Sequence, residues 1–463
     1  MTEEVKEISL KEQFEELLDS GKNREIRDFL DDQNIADVVD IVYEFPEQES
    51  QIIANMSTHR AVNVFKLLEA ANQKDIIHEL PPSVTAALLN GMPADDRTDF
   101  FEELPSDAVR ELIKLLDPDE RRITLTLLGY PENSIGRLMN PDYVYVYAHN
   151  TIEEVFQTIK KYGKNSEAIN VIYVIDEKGN LLDDIRIGEF LLNDPETKVS
   201  DLMDERVISL SAYDDQESAS EVFKMNNRVA LPVVSNSNKL MGIVTIDDVL
   251  WVASEEFSED MQKMGGTQAL EEPYLDMPLF QLFKKRVPWL VILFLGEMLT
   301  ASAMAYFEDE IARAVVLALF IPLIISSGGN SGSQASTLVI QAMAVGELTV
   351  KDWWRVLRRE IASGFLLGSV LGIIGFVRIF VYHSLFPHLY GEHWVLLGFT
   401  ISFTLLGIVL WGTIAGSMLP ILLKRLGADP AVSSAPFVAT LVDVTGIVIY
   451  FSIAFALLSG TLL

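Results

Sequence analysis

Asp443 sits inside the run "PAVSSAPFVATLVDVTGIVIYF", with apolar neighbours on either side and no Lys or Arg in the same stretch. A carboxylate in such a segment must be paired, protonated or hydrated, because burying a bare charge is costly. The chemistry open to Asp443 is therefore cation binding, or a hydrogen bond to Thr440 or Thr445 across a helix contact. A second unusual run, "IISSGGNSGSQAST", sets Gly328, Gly329 and Gly332 beside Asn330, Ser331 and Gln334 in another apolar segment. Irregular backbone and polar groups there would line a wet path, or small residues would let helices pack closely. Glu297 is a third acid in apolar surroundings, open to a pathway role or to a helix–helix hydrogen bond. Asp429 in "KRLGADP" is a loop acid beside Pro430 at the edge of an apolar run.

More acids cluster earlier in the chain. In "GMPADDRTDFFEELP", Asp95 and Asp99 stand four apart on one helical face, as half of a divalent site or as a solvated helix start. In "DDVLWVASEEFSEDMQKM", Glu256, Glu259 and Asp260 fall at i, i+3 and i+4, with Glu255 beside them and Asp248 one to three turns before. Uncompensated acids on one face repel one another unless solvated, and a divalent cation would reverse the sign of that interaction.

The elements holding these residues follow from charge and hydropathy. The chain has 463 residues, no Cys, 36 basic and 67 acidic side chains. Residues 287–463 hold only 10 acids and 8 bases, leaving 57 acids against 28 bases in the first 286. An acidic soluble part thus precedes a nearly neutral apolar part. So negative a potential repels nucleic acid, and without Cys there is no disulfide, thiolate zinc site or thiol nucleophile. The acidic, amphipathic N-terminus does not read as a signal peptide. Apolar stretches at about 287–306, 312–346, 361–384, 394–423 and 432–462 each reach bilayer length. The second is expected to be broken around its glycines. Basic connections (Lys284–Arg286, Lys351–Arg359, Lys424–Arg425) alternate with non-basic ones, which places the N-terminal part in the cytoplasm and the C-terminus outside.

In the soluble part, Pro81, Pro93, Pro105 and Pro118 recur at 12, 12 and 13 residues, each opening a short acidic-headed helix. Such units stack into an α-solenoid. From about 137 onward a 64-residue repeat appears, "RLMNPDYVYVYAHNTIEEVFQTIK" matching "DLMDERVISLSAYDDQESASEVFKMN". The strand–helix–strand–strand–helix pattern resembles a tandem of CBS motifs. In that family the "GIVTIDDV" strand end offers a Thr and an Asp to a nucleotide. Thr245 and Asp248 match, while the first copy has Arg186 and Glu189. The resemblance thus implies a single nucleotide site, for ATP, beside a purely structural role of the pair.

The order of parts, with "GGNSGSQAST" and "GADPAVSSAPFVATLVDVTG", resembles the MgtE family of magnesium channels and transporters. The implied fold is a multi-domain membrane protein: an acidic helical-repeat domain (1–132), CBS motifs (133–200 and 201–251), a connecting helix (252–286) and an all-α domain of five spans (287–463). The resemblance implies a homodimer in the lipid bilayer of a cell's inner membrane, moving Mg²⁺ into the cytoplasm through one pore at the dimer interface. It puts Asp443 and the Ala439 carbonyl on hydrated Mg²⁺; the polar and glycine residues themselves make Asn330, Gly328, Gly329 and Glu297 the candidates to line the path. It further implies closure by cytosolic Mg²⁺, a regulatory role falling on Asp95, Asp99, Asp248, Glu256, Glu259, Asp260 and Asp429. Trp251 and Asn227 stand where the family can carry acids. The rival expectation is a proton- or sodium-coupled carrier of Mg²⁺, Mn²⁺ or Co²⁺. Without a phosphate loop, metal-binding His pair or Ser–His arrangement, no catalytic residue and no enzyme are expected.

Overall fold

The computed structural model describes residues 10–462 apart from positions 21, 165, 271–273, 276 and 389. It divides into two compact units, the first ending at Ala253 and the second beginning at Ser254.

In the first unit the prolines start helices. Pro82 and Pro118 hold the first positions of Pro82–Gly91 and Pro118–Leu127. Pro93 and Pro105 cap α1 (Ala94–Glu102) and Ser106–Leu112 with φ of −50° and −57°. Proline's fixed φ and missing N–H suit a position where no intrahelical donor is needed. Among the first of these short helices each packs on the one two places along, burying one core that runs from Phe14 through Phe65 to Leu116. Arg97 of α1 is wholly buried. It donates to the Leu89 and Met92 carbonyls, to Thr124 Oγ1 and to Glu120 Oε2, which together offset its desolvation.

The 64-residue repeat becomes two three-stranded sheets of the same topology. β1 (Tyr143–Tyr147) is parallel to β2 (Ala168–Ile175), which is antiparallel to β3 (Leu181–Arg186). β4 (Leu210–Ser211), β5 (Ala230–Val234) and β6 (Leu240–Thr245) repeat that order. Helices Ile152–Tyr162 and Glu217–Asn226 make the two parallel crossovers. Asn227 ends the second of these in the left-handed region (φ 47°), a conformation Asn accepts more readily than most residues. β6 runs directly into α2 (Ile246–Met264), which continues into the second unit.

The second unit holds five helices long and apolar enough to cross a membrane. The labelled helices are α3 (Leu279–Tyr306), α4 (Ile321–Ala344), α5 (Trp353–Leu385), α6 (Trp394–Arg425) and α7 (Ala435–Leu458). α3 starts before the apolar run and carries Lys284–Arg286 in its early turns. The second span corrects the expectation of backbone broken at its glycines. α4 is continuous through Gly328, Gly329 and Gly332, and the interruption lies earlier, at Leu319 and Phe320. The reason is packing. Gly328 and Gly332 face Gly412 and Gly416 of α6, and a Cβ on Gly412 would fall 2.5 Å from the Gly328 carbonyl oxygen. Close backbone approach offsets the low helix propensity of glycine, about 1 kcal/mol per residue.

Gly412→Ala should therefore lower the thermal midpoint of the detergent-purified chain, since overpacking costs about 1–3 kcal/mol. Gly407→Ala, whose Cβ would meet its neighbours at an ordinary 3.5 Å, should leave the midpoint unchanged or raise it, because alanine is the better helix former. Equal midpoints for the two variants would show that the α4–α6 crossing accepts a methyl group.

Candidate cation sites

α4 presents two faces. Gly328, Gly332, Ala335, Ser336 and Val339 are buried toward α6 and α7. Ser326, Asn330, Gln334, Thr337 and Gln341 are exposed, recurring every three or four residues along one stripe. Asn330 Nδ2 donates to Ser326 Oγ at 3.4 Å along that stripe. A polar stripe on a membrane helix is not left against hydrocarbon. Gly328 itself packs against Ile408 and Val442, so its place is in the helix contact and not on the stripe.

Asp443 is half-buried on α7 beside Gly329: a Cβ there would lie 3.7 Å from Asp443 Oδ1 and 3.5 Å from the Ala439 Cβ. Asp443, Ala439 and Gly329 are thus brought together. The alternative of a threonine hydrogen bond is not realised. Thr440 donates to the Pro436 carbonyl at 3.0 Å and Thr445 to that of Leu441 at 2.8 Å, while Thr445 Oγ1 accepts the Trp411 indole N–H. Glu297 on α3 is exposed and acts electrostatically on Asp443, so the neighbour of this acid is another acid.

In the first unit, helix phase and a strand end gather a second set. Asp95, at the start of α1, is 7% exposed. Buried Asn140 donates from Nδ2 to Asp95 Oδ1 and to Glu167 Oε2, both at 3.0 Å. Asp248 accepts the Thr245 hydroxyl at 2.5 Å and the Thr245 N–H at 3.3 Å. Lys66 Nζ pairs with Asp96 Oδ2 at 3.0 Å. Burial, followed by the carboxylates of Asp248, Asp96 and Glu167, holds Asp95 well above the usual range. Burial also pushes Asp248 up to about 7, against the lowering effect of the Thr245 hydroxyl, with Asp247 and Asp96 adding to the rise. Asp99, by contrast, is exposed one turn further on. The sequence pattern missed Asp96, Asp247, Glu167 and Asn140. The first two adjoin chosen acids, whereas Asn140 lies 45 residues from Asp95 and no spacing announces it.

Among the described residues, no three His, Cys, Asp or Glu are arranged to hold a metal ion as they stand. The Thr245 hydroxyl donates to Asp248, on which the carboxylates of Asp247 and Asp96 also act. Oxygen donors of this kind suit a hard divalent cation. Arg186 and Glu189, their counterparts in the first motif, are exposed, as is Trp251.

The third place is at the end of α2. Lys263 pairs with Glu259 at 2.5 Å and with Asp429 at 2.7 Å. Partial burial alone would lower the Lys263 pKa, but these two carboxylates outweigh it and raise the value. Glu256 and Asp260 are half-buried and Glu255 is exposed.

Comparison with known proteins gives the family. A family profile described as "Divalent cation transporter" matches residues 321–453, "MgtE intracellular N domain" matches 9–133, and "CBS domain" matches 135–191 and 199–255. A protein of Thermus thermophilus named magnesium transporter MgtE is 34% identical over 96% of this chain and 98% of its own. The chain belongs to the MgtE family. The Bacillus subtilis MgtE magnesium transporter is 30% identical over 95% of each chain. A solved structure of the cytosolic domain of the Mg²⁺ channel MgtE in complex with ATP is similar at 30% identity and a TM-score of 0.50, covering 52% of this chain and 98% of that one. The chain is thus a multi-pass MgtE protein with a helical N domain, a CBS pair and membrane-spanning helices.

Asp248 provides a pH test. An acid with a higher pKa folded than unfolded binds its proton more tightly in the native state. Its contribution is present below the ordinary value of 3.8 and is lost as pH rises through about 7. In chelator, Asp248→Asn should therefore raise the thermal midpoint of the full chain at pH 8 but not at pH 4. A midpoint gain independent of pH would show that Asp248 carries no such strain.

Proposed function

We propose that this MgtE protein moves Mg²⁺ across a membrane along the polar stripe of α4 and past Asp443. The observation that carries the proposal is that stripe, exposed on a membrane helix with a base-free carboxylate beside it. Mg²⁺ demands six oxygens and parts with its water reluctantly. Few carboxylates, backbone carbonyls such as that of Ala439, and amides such as Asn330 leave room for a hydrated ion. The absence of Cys disfavours softer metals. A second copy of the chain would cover the stripe and complete the path, which makes the working unit a homodimer with its pore between the copies. The alternating basic connections put the acidic first unit in the cytoplasm and the C-terminus outside, so that flux runs inward.

The acids at Asp95, Asp248, Glu259 and Asp429 make cytosolic Mg²⁺ its own regulator. At low Mg²⁺, like charges destabilise the closed arrangement. At higher Mg²⁺, bound cations stabilise it and flux stops, by mass action. ATP at Thr245 and Asp248 of the CBS pair is a further ligand of this reading, supported by the similar solved cytosolic domain that holds ATP. A second reading, coupling to protons or Na⁺, is favoured by the proximity of Glu297 to Asp443, since paired intramembrane acids carry protons in pumps.

The test is Mg²⁺ uptake into liposomes holding the purified chain, with no proton or Na⁺ gradient. Wild-type uptake should be rapid, and Asp443→Ala should slow it at least about tenfold, corresponding to about 1.4 kcal/mol. Uptake unchanged in Asp443→Ala would remove that residue from the path. Wild-type uptake appearing only after a gradient is imposed would establish the coupled carrier instead.

A further inference from the structure

Lys263 holds its ammonium between two carboxylates, Glu259 Oε1 one turn back at 2.5 Å and Asp429 Oδ2 at 2.7 Å. Of the two, Asp429 alone has a second hold on its carboxylate, while Glu259 is carried on the same helix one turn back. The other oxygen of Asp429 accepts the Ala431 N–H at 2.8 Å and caps the turn Pro430–Val432. The segment after α2 is fastened independently. Leu270 N–H donates to Gln262 Oε1 at 2.6 Å and Gln268 N–H to the Lys285 carbonyl at 3.2 Å. The Trp289 indole N–H, on the ring that Gly266 abuts, donates to Ser434 Oγ at 3.1 Å. The lysine is thus a counter-ion shared by two carboxylates, of which Asp429 is also held by the Ala431 N–H.

The charge arithmetic gives it a role. Two carboxylates and one ammonium leave a net charge of about −1 at this place. A free K⁺ or Na⁺ replacing the ammonium would leave that charge unchanged, and it competes with a cation held at high effective concentration by its own chain. A divalent ion in the same position brings the net charge to zero and frees the ammonium for water. We infer that Lys263 is a specificity-determining residue: a tethered monovalent cation that makes Glu259 and Asp429 respond to divalent ions and ignore monovalent ones. The inference rests on the assignment of Glu259 and Asp429 to regulatory Mg²⁺. Lys263 acts through those two acids and touches no transported ion.

Lys263→Met removes the charge and keeps much of the stem. With no tethered cation to displace, Mg²⁺ should bind the pair at about fivefold lower concentration, the scale of one partly exposed ion pair. K⁺ should then compete where it did not before. The experiment follows chymotryptic cleavage of the full-length chain between α2 and α3, where Tyr274 and Leu275 are exposed, while Mg²⁺ is titrated at constant ionic strength in tetramethylammonium or potassium chloride. Wild type should become protected at one Mg²⁺ midpoint in both salts, and Lys263→Arg should follow it. Lys263→Met should be protected at the lower midpoint in tetramethylammonium and should move back upward in potassium. An unchanged or raised midpoint for Lys263→Met in tetramethylammonium would overturn the inference and leave Lys263 a simple strut. Wild-type cleavage indifferent to Mg²⁺ would overturn the prior assignment of Glu259 and Asp429, and the inference with it.

Discussion

Negative charge held without enough positive charge is the constraint that organises this molecule. Asp95 is buried with the carboxylates of Asp96, Glu167 and Asp248 acting on it. Asp443 has Glu297 for its electrostatic neighbour inside an apolar bundle. Around Asp95 desolvation penalises the ionised form, and nearby acids add to the penalty. The relief available from the chain itself is small: an amide from Asn140, an ammonium from Lys66, and Lys263 at the end of α2. Oxygen donors with so little positive charge around them suit a small, hard, multivalent cation.

Ordinary folding chemistry builds those settings. Proline begins α1 one residue before Asp95's neighbour Ala94, so Asp95 falls in the first turn, where the helix dipole favours an anion. The end of β6 delivers Thr245 and Asp248 to the same region, and Asn140 ties it through paired backbone hydrogen bonds to Ile243. In the membrane unit, the glycine crossing of α4 with α6 fixes the rotation of α4. That rotation turns Gly329 toward Asp443 and leaves Asn330 and Gln334 on the outward stripe. One packing contact therefore decides both what is buried and what is left exposed.

The sequence made much of this legible, because the signals were local. Proline spacing, the 64-residue repeat, five apolar runs and a lone acid among apolar residues each declare themselves within a few turns. The failures came where tertiary contacts decide. Glycines in "SSGGNSGS" suggested an interrupted helix, since propensity is all that one sequence shows, yet α6 supplies the packing that keeps it regular. Asp95 and Asp99 share a face by spacing, but Asp95 is buried and Asp99 exposed, and Asp96 beside Asp95 acts on it instead. Lys263 and Asp429 are 166 residues apart, and no periodicity links them. Around the Thr–Asp pair of the second CBS motif, Asp96 comes from a remote segment that no spacing announces.

The most direct test of the central claim separates specific neutralisation from simple screening. The thermal midpoint of the purified full-length chain would be measured against MgCl₂ and against KCl at matched ionic strength. Screening depends on ionic strength, while a bound ion stabilises the fold according to its own affinity. Mg²⁺ is predicted to raise the midpoint at concentrations where matched K⁺ leaves it unchanged. Equal shifts from the two salts would mean that no divalent cation completes these acids, and would contradict the account.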